Sequence, residues 1–192
     1  MGGKKGRILI CVTGMPGSGK SVVSRIISSI LNAKVISMGD VVREEAARRG
    51  MPQDIKSMTK FAEELRRKYG KDIVARMTLK YIEDRGLSGI IVIDGVRSLD
   101  EVKVFNSYGN VIIVAVHASP RTRYERLRNR GRRDDPKDWN EFLIRDNKEL
   151  SFGIGNVIAL ADIMIINESK SLEDLRNEVE SKIKEVLSNV NN

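Results

Sequence analysis

The sequence predicts an α/β fold, a five-stranded parallel sheet with helices on both faces, and three observations predict it. The runs RILICVT, KVIS, GIIVIDG, NVIIVAVH and ADIMIIN are apolar at consecutive rather than alternate positions, as strands covered on both faces must be. Amphipathic segments separate these runs, and parallel strands need such crossovers. The chain of 192 residues has no repeat or low-complexity tract, which suits one domain that buries a core without staples.

In chain order, the strand in RILICVT leads into a helix over 20–31, and KVIS into a helix over 40–49 that RGMPQ breaks. Residues 54–69 form a charged helical excursion, and 72–84 continue as helix into the third strand, GIIVIDG. A short helix over 99–105 precedes NVIIVAVH. Helices over 121–130 and 137–150 lead to ADIMIIN. The last helix starts at Ser171 and sets Leu172, Leu175, Val179, Ile183 and Val186 on one face, the spacing of an amphipathic helix. Two stretches, 50–70 and the arginine-rich lead to about residue 138, fit the sheet core poorly. They are expected as lobes over one sheet edge within a single domain spanning 1–192.

Lysine and arginine exceed aspartate and glutamate by 34 to 26, a net charge of +8. That excess suits polyanions: nucleotides, coenzymes, RNA or anionic membrane surfaces. Seven of the arginines lie in RTRYERLRNRGRR (residues 121–133), and aromatic residues make up only 5% of the chain, which disfavours stacking of single-stranded bases. Cys11 is the single cysteine, so no disulfide forms within the chain and a reducing cytoplasm is expected. The basic start MGGKKGR precedes too short an apolar run for a secretory signal, and no stretch approaches a membrane span, so a soluble protein without membrane partners is expected.

The first apolar run ends in GMPGSGKS. This satisfies G-x-x-x-x-G-K-[ST] between a strand and a helix, the context the motif requires. Gly14, Pro16, Gly17, Ser18 and Gly19 pack nothing because their backbone does the work. The glycines let several N–H groups face one anion, and the following helix adds its positive end through Lys20, Ser21 and Val22. Lys20 would bridge the outer phosphates of ATP and Ser21 would ligate Mg²⁺. The predicted fold is therefore the three-layer P-loop NTPase fold. Asp94, at the carboxyl end of the third strand in IIVIDGVRS, is where a carboxylate would hold hydrated Mg²⁺.

Three further motifs follow in a fixed order: SMGDVVR (residues 37–43), IDGVR (93–97) and RRDDP with a later arginine (132–145). With these, the chain resembles the adenylate-kinase-like family of P-loop nucleotide kinases over nearly its whole length. Taken together, its motifs resemble an adenylate-kinase-related group known mostly from archaeal sequences. The resemblance implies a helical lobe over 50–70 that binds the acceptor, and a short lid over 128–138. It also implies that Arg43 and Arg97 grip the acceptor's phosphate and that Arg132, Arg133 and Arg145 close over the group in transit. Asp40 is either a helix N-cap or a residue near Mg²⁺. Met38 stands where the family has Thr, and the IDGVR loop is one residue shorter than the family's, so the acceptor stays open.

The end of the chain, ADIMIINESKSLEDLRNEV, also resembles dephospho-coenzyme A kinases. There the loop from Asn167 would lie against the donor adenine, and that likeness adds an alcohol-bearing coenzyme to the candidate acceptors. The expected activity is in-line transfer of the γ-phosphate from Mg·ATP to a phosphate-bearing small molecule. The alternative is a P-loop ATPase that acts as a switch on RNA or a protein partner. His117, Cys11 and Trp139 are expected to be structural.

Overall fold

The protein is described by a computed structural model over residues 7–131 and 135–190. The expected sheet is present: β1 (Ile8–Thr13), β2 (Lys34–Ser37), β3 (Ile90–Asp94), β4 (Asn110–His117) and β5 (Ile163–Ile166) lie in the order β2-β3-β1-β4-β5. Every strand pair is parallel. The helices are α1 (Lys20–Leu31), α2 (Met38–Arg48), α3 (Ile55–Tyr69), α4 (Ile73–Asp84), α5 (Leu99–Tyr108), α6 (Pro120–Arg130), α7 (Trp139–Ser151), α8 (Ile154–Ala159) and α9 (Leu172–Val190). Among the described residues, no helix is long and apolar enough to cross a membrane.

Successive residues of β1 point to opposite faces, and each face finds its own core. Leu9 and Cys11 pack with Ile91, Ile93 and Ile113 against Val41, Val42, Val74, Ile82 and Phe105 of α2, α4 and α5. Ile10 and Val12 pack with Val92, Val114 and Ile165 against Val23 and Ile27 of α1 and Leu175, Val179 and Ile183 of α9. Each fully buried Ile or Leu contributes about 1.5–3 kcal/mol of transfer free energy, so the consecutive apolar runs pack two layers of helix at once. Cys11 is fully buried in the first cluster, and burial pushes its thiol up, away from reactivity.

Local chemistry sets the helix ends. Ser37 caps α2, its Oγ accepting from the Asp40 N–H at 3.3 Å; the helix therefore starts two residues earlier than expected, and Asp40 sits inside it rather than at its cap. Ser119 caps α6 with Pro120 at its first position, and α1 ends on Asn32 in the left-handed region. The charged α3 buries Phe61 and Leu65, one turn apart, in the α2–α4 core. The short helix α8 was not legible beforehand; it buries Ile154 and Val157.

The connection from β3 to β4 passes β1 in the sheet, while β1 itself connects outward to β2. Loops therefore diverge at the carboxyl end of β1, the place where open α/β sheets leave a crevice for ligands.

Candidate active site

The loop between β1 and α1 sits in that crevice, and its shape is enforced from outside. Gly14 can be nothing else: the Val116 carbonyl and Ser18 Oγ lie where a Cβ would stand. Gly19 has φ +94°, and a Cβ there would run into the Asn167 amide. Two distant side chains hold the loop's carbonyls. Asn167 Nδ2 donates to Ser18 O at 2.8 Å, and Arg123 Nη1 donates to Pro16 O at 3.1 Å. The Val22 and Val23 amides donate to the Gly19 carbonyl at 2.9 and 3.2 Å, while the Lys20 and Ser21 amides that open α1 have no acceptor within the helix. Together with the helix dipole they form a seat for an anion.

Beside the seat, Ser21 Oγ donates to Asp94 Oδ2 at 2.8 Å. Asp94 is buried, and its Oδ1 has no hydrogen-bond partner among the described residues. A buried carboxylate oxygen left unmatched is costly. A hard divalent cation taking oxygen ligands would satisfy it, so these residues fit Mg²⁺. Burial pushes the Lys20 ammonium below its ordinary 10.5, while Asp94 pulls it back up. A poorly hydrated cation of this kind gains by meeting a phosphate.

Two cavities meet here. A cleft of about 70 Å³ runs along Gly14, Pro16, Gly17 and Lys20. A chamber of about 640 Å³ spreads toward α2, α3 and α7, within the size range of small-molecule sites. Lys20, Gly95, Arg97, Arg130, Arg145 and Glu149 line both. The chamber adds Arg43, Arg66 and Lys148, with Met38, Val42, Met58 and Phe152 as apolar wall.

These cations are held on carboxylates. Arg43 Nε donates to Asp40 Oδ1 at 3.0 Å, and Arg97 Nε lies 3.0 Å from Glu149 Oε2. Arg130 Nε donates to Asp135 Oδ2 at 2.9 Å, and Arg145 Nη1 reaches the same carboxylate at 3.4 Å. Lys148 pairs with Glu63 of α3. Glu101, fully buried in the first turn of α5, accepts from Arg66 Nη2 at 3.2 Å and from the Arg97 N–H at 2.8 Å. Burial pushes its carboxyl up, against the pull of both partners.

The structure thus brings together Gly14, Pro16, Gly17, Lys20, Ser21, Asp94, Arg97 and Arg145, and places Arg43 in the chamber wall but not in the cleft. Ser18 is buried within the loop, and Val22 packs beneath it in the α1 core. Asp40 corrects an expectation: Ser37 is the cap, and Asp40 is exposed, lines neither cavity and pairs with Arg43. Arg132 and Arg133 lie outside the described residues. His117 is exposed at the end of β4. Trp139 joins α7 to α6, its ring 5.3 Å from Tyr124 and 5.0 Å from Phe142.

Sequence reading missed Glu149, Glu101 and Arg123. Glu149 stands one turn after Arg145 on α7, so the helical period was a signal for it. Glu101 and Arg123 act through partners far along the chain, and no local spacing marks them. Arg123 is buried, donates to Asp146 Oδ1 at 2.8 Å as well as to Pro16, and lies over the Phe142 ring.

Comparison with known proteins gives a consistent picture. The family model described as an AAA domain matches residues 13–143. A UPF0200 protein of Hyperthermus butylicus is 53% identical over 182 residues, covering 95% of this chain and 94% of that protein. One of Thermococcus sibiricus is 48% identical over 177 residues, covering 90% and 92%. Among solved structures, TT1252 from Thermus thermophilus superposes with TM-score 0.63 at 20% identity, over 94% of this chain and 98% of that one. Shikimate kinase from Bacteroides thetaiotaomicron superposes with TM-score 0.60 at 14% identity, over 92% and 98%. At these identities the structural likeness establishes the P-loop kinase fold alone.

Proposed function

The chain belongs to the UPF0200 proteins and carries an AAA-type domain with the P-loop kinase fold, and from that premise we propose that it is a Mg·ATP-dependent phosphotransferase. Its acceptor is a nucleotide or nucleotide-like small molecule that bears a phosphate. One observation carries this reading: the phosphate cleft and the chamber share a wall of four cations, Lys20, Arg97, Arg130 and Arg145. A donor phosphate seated on the loop therefore faces a second compartment large enough for an acceptor. A nucleotide hydrolase needs no such compartment.

The roles follow from position. The α1 amides and Lys20 bind and orient the triphosphate, and Ser21 and Asp94 would hold Mg²⁺, which when bound neutralises charge on the outer phosphates. Arg43, which lines the chamber and not the cleft, grips the acceptor's own phosphate. Arg97, Arg130 and Arg145 surround the transferring group, where fixed charge in a site closed to water is worth most. Arg132 and Arg133 belong to the same lid by sequence.

The test is transfer of label from ATP radiolabelled in its γ-phosphate, with AMP, CMP, UMP, GMP and dephospho-coenzyme A as acceptors. We expect a labelled product from one of them and a loss on the order of a thousandfold in Lys20→Ala. Free phosphate alone, released at one rate whatever acceptor is present, would instead indicate an ATPase switch.

A further inference from the structure

Among the described residues, three carboxylates line the chamber: Asp94, Glu141 and Glu149. Asp94 is committed to Ser21 and the cation seat. Glu141 is exposed at the start of α7, where its Oε2 accepts from the Lys137 N–H at 2.7 Å. Glu149 differs from both. Its side chain is only 14% exposed, and among the described residues it is the one carboxylate in the wall shared by the cleft and the chamber. There it lies among Lys20, Arg97, Arg130 and Arg145, the cations that line both cavities.

An anion at that point works against one kind of acceptor and for another. A terminal phosphate arrives ionised. It has no proton to lose before attack, and a neighbouring carboxylate repels it. An alcohol arrives neutral and must give up a proton as its oxygen bonds to phosphorus, which a carboxylate within reach can accept.

We propose that the acceptor atom is an alcohol oxygen and that Glu149 is the catalytic base that takes its proton. The inference rests on the phosphotransfer reading and narrows its substrate class to a phosphate-bearing alcohol, such as the ribose hydroxyl of a nucleotide coenzyme. In the step, the alcohol oxygen forms a bond to the γ-phosphorus as the bond from that phosphorus to the β,γ-bridging oxygen breaks. The alcohol proton passes to the Glu149 carboxylate, ADP leaves with the bridging oxygen, and Glu149 returns the proton to water once the product departs. The Arg97 guanidinium, 3.0 Å from Oε2, orients the carboxylate toward the transit point. Arg43, outside the wall shared with the cleft, holds the acceptor's phosphate.

The product's own chemistry tests the proposal. With full-length protein, γ-labelled ATP and the same acceptor panel, an alcohol acceptor gives a phosphate ester that survives hot dilute acid. A phosphate acceptor gives an anhydride that does not. We expect acid-stable label, a kcat lower by about a hundredfold or more in Glu149→Gln, an unchanged KM for ATP, and partial recovery in Glu149→Asp. Acid-labile product, or a Glu149→Gln kcat within a few-fold of the parent, overturns the inference and leaves the kinase reading standing. Acceptor-independent phosphate release overturns that reading, and the inference with it. Should Glu149→Gln fail to fold, the acid stability of the parent enzyme's product still decides.

Discussion

The loop and the chamber, the donor and acceptor halves of the proposed reaction, are built on opposite plans. The donor half is backbone: amides at the start of α1, shaped by glycines and steadied by Asn167 and Arg123. The acceptor half is side chain: guanidinium and ammonium groups, each resting on a carboxylate from another turn or another helix. Backbone amides cannot be given away to a competing partner, so the donor seat is ready before ATP arrives. In the proposed reaction the acceptor's cations, apart from Arg97 on Glu149, must exchange carboxylate for substrate. ATP binding should therefore depend on the braces behind the loop, and acceptor binding on the strength of the pairs in the chamber.

The largest test of that contrast falls on Arg123, behind the donor loop. Arg123→Met removes the Pro16 contact and strands Asp146, whose side chain is 12% exposed. Breaking one partner of a buried pair costs about 3–5 kcal/mol, a drop on the order of 10 °C in melting temperature for a domain of this size. The double variant Arg123→Met with Asp146→Leu should regain most of that stability, because a buried pair replaced whole is close to neutral. It should still bind ATP more weakly than the parent, since the Pro16 carbonyl remains untethered. Denaturant titration and nucleotide titration on the same two proteins separate the effects. Full recovery of ATP affinity in the double variant would mean that the loop holds its shape unaided.

The same contrast governs what could be read from sequence. The donor half was legible because its requirements are local: Gly14, Gly19, Lys20 and Ser21 must stand at fixed spacing for a backbone to curl round a phosphate. The sheet was legible because a strand covered on both faces cannot hide its apolar run. Asp94 followed from its place at the end of such a run. The acceptor half was legible only by family resemblance, and only in part. Arg97 and Arg145 line the chamber, but Asp40 does not. Glu149 joins Arg97 across 52 positions, and Glu101 joins Arg66 across 35, so nothing in the neighbouring residues announces either pair.

A smaller effect comes from the acceptor side. Arg43 is half exposed and its visible partner is Asp40, three residues earlier on α2, so Arg43→Gln should leave the fold and the KM for ATP unchanged. A charge-assisted hydrogen bond to the acceptor's phosphate is worth about 1.5–3 kcal/mol. The acceptor KM should therefore rise roughly 10- to 100-fold. An equal rise in both KM values would erase the division between the halves, and no rise in either would remove Arg43 from the site.

The smallest effect lies in the donor half, where the loop after β5 is fastened to α6. Glu168 follows Asn167 and accepts hydrogen bonds from the Ser119 N–H and from the Ser119 and Thr122 side chains; the backbone bond does most to hold its carboxyl at about 2, below the ordinary 4.5. The sign follows from that depression: a carboxyl more acidic in the folded than in the unfolded chain stabilises the fold above its ordinary value and loses that contribution as pH falls toward its folded one. Parent and Glu168→Gln should therefore differ most above pH 4.5, and the gap between their urea midpoints should narrow as pH falls from about 4.5 toward 2. Glu45, also held at about 2 by Arg48 and Arg49, titrates in both proteins and cancels in the difference. A gap that stays constant through that range would mean that the fastening owes nothing to the carboxylate's charge, and that Asn167 alone steadies this side of the loop.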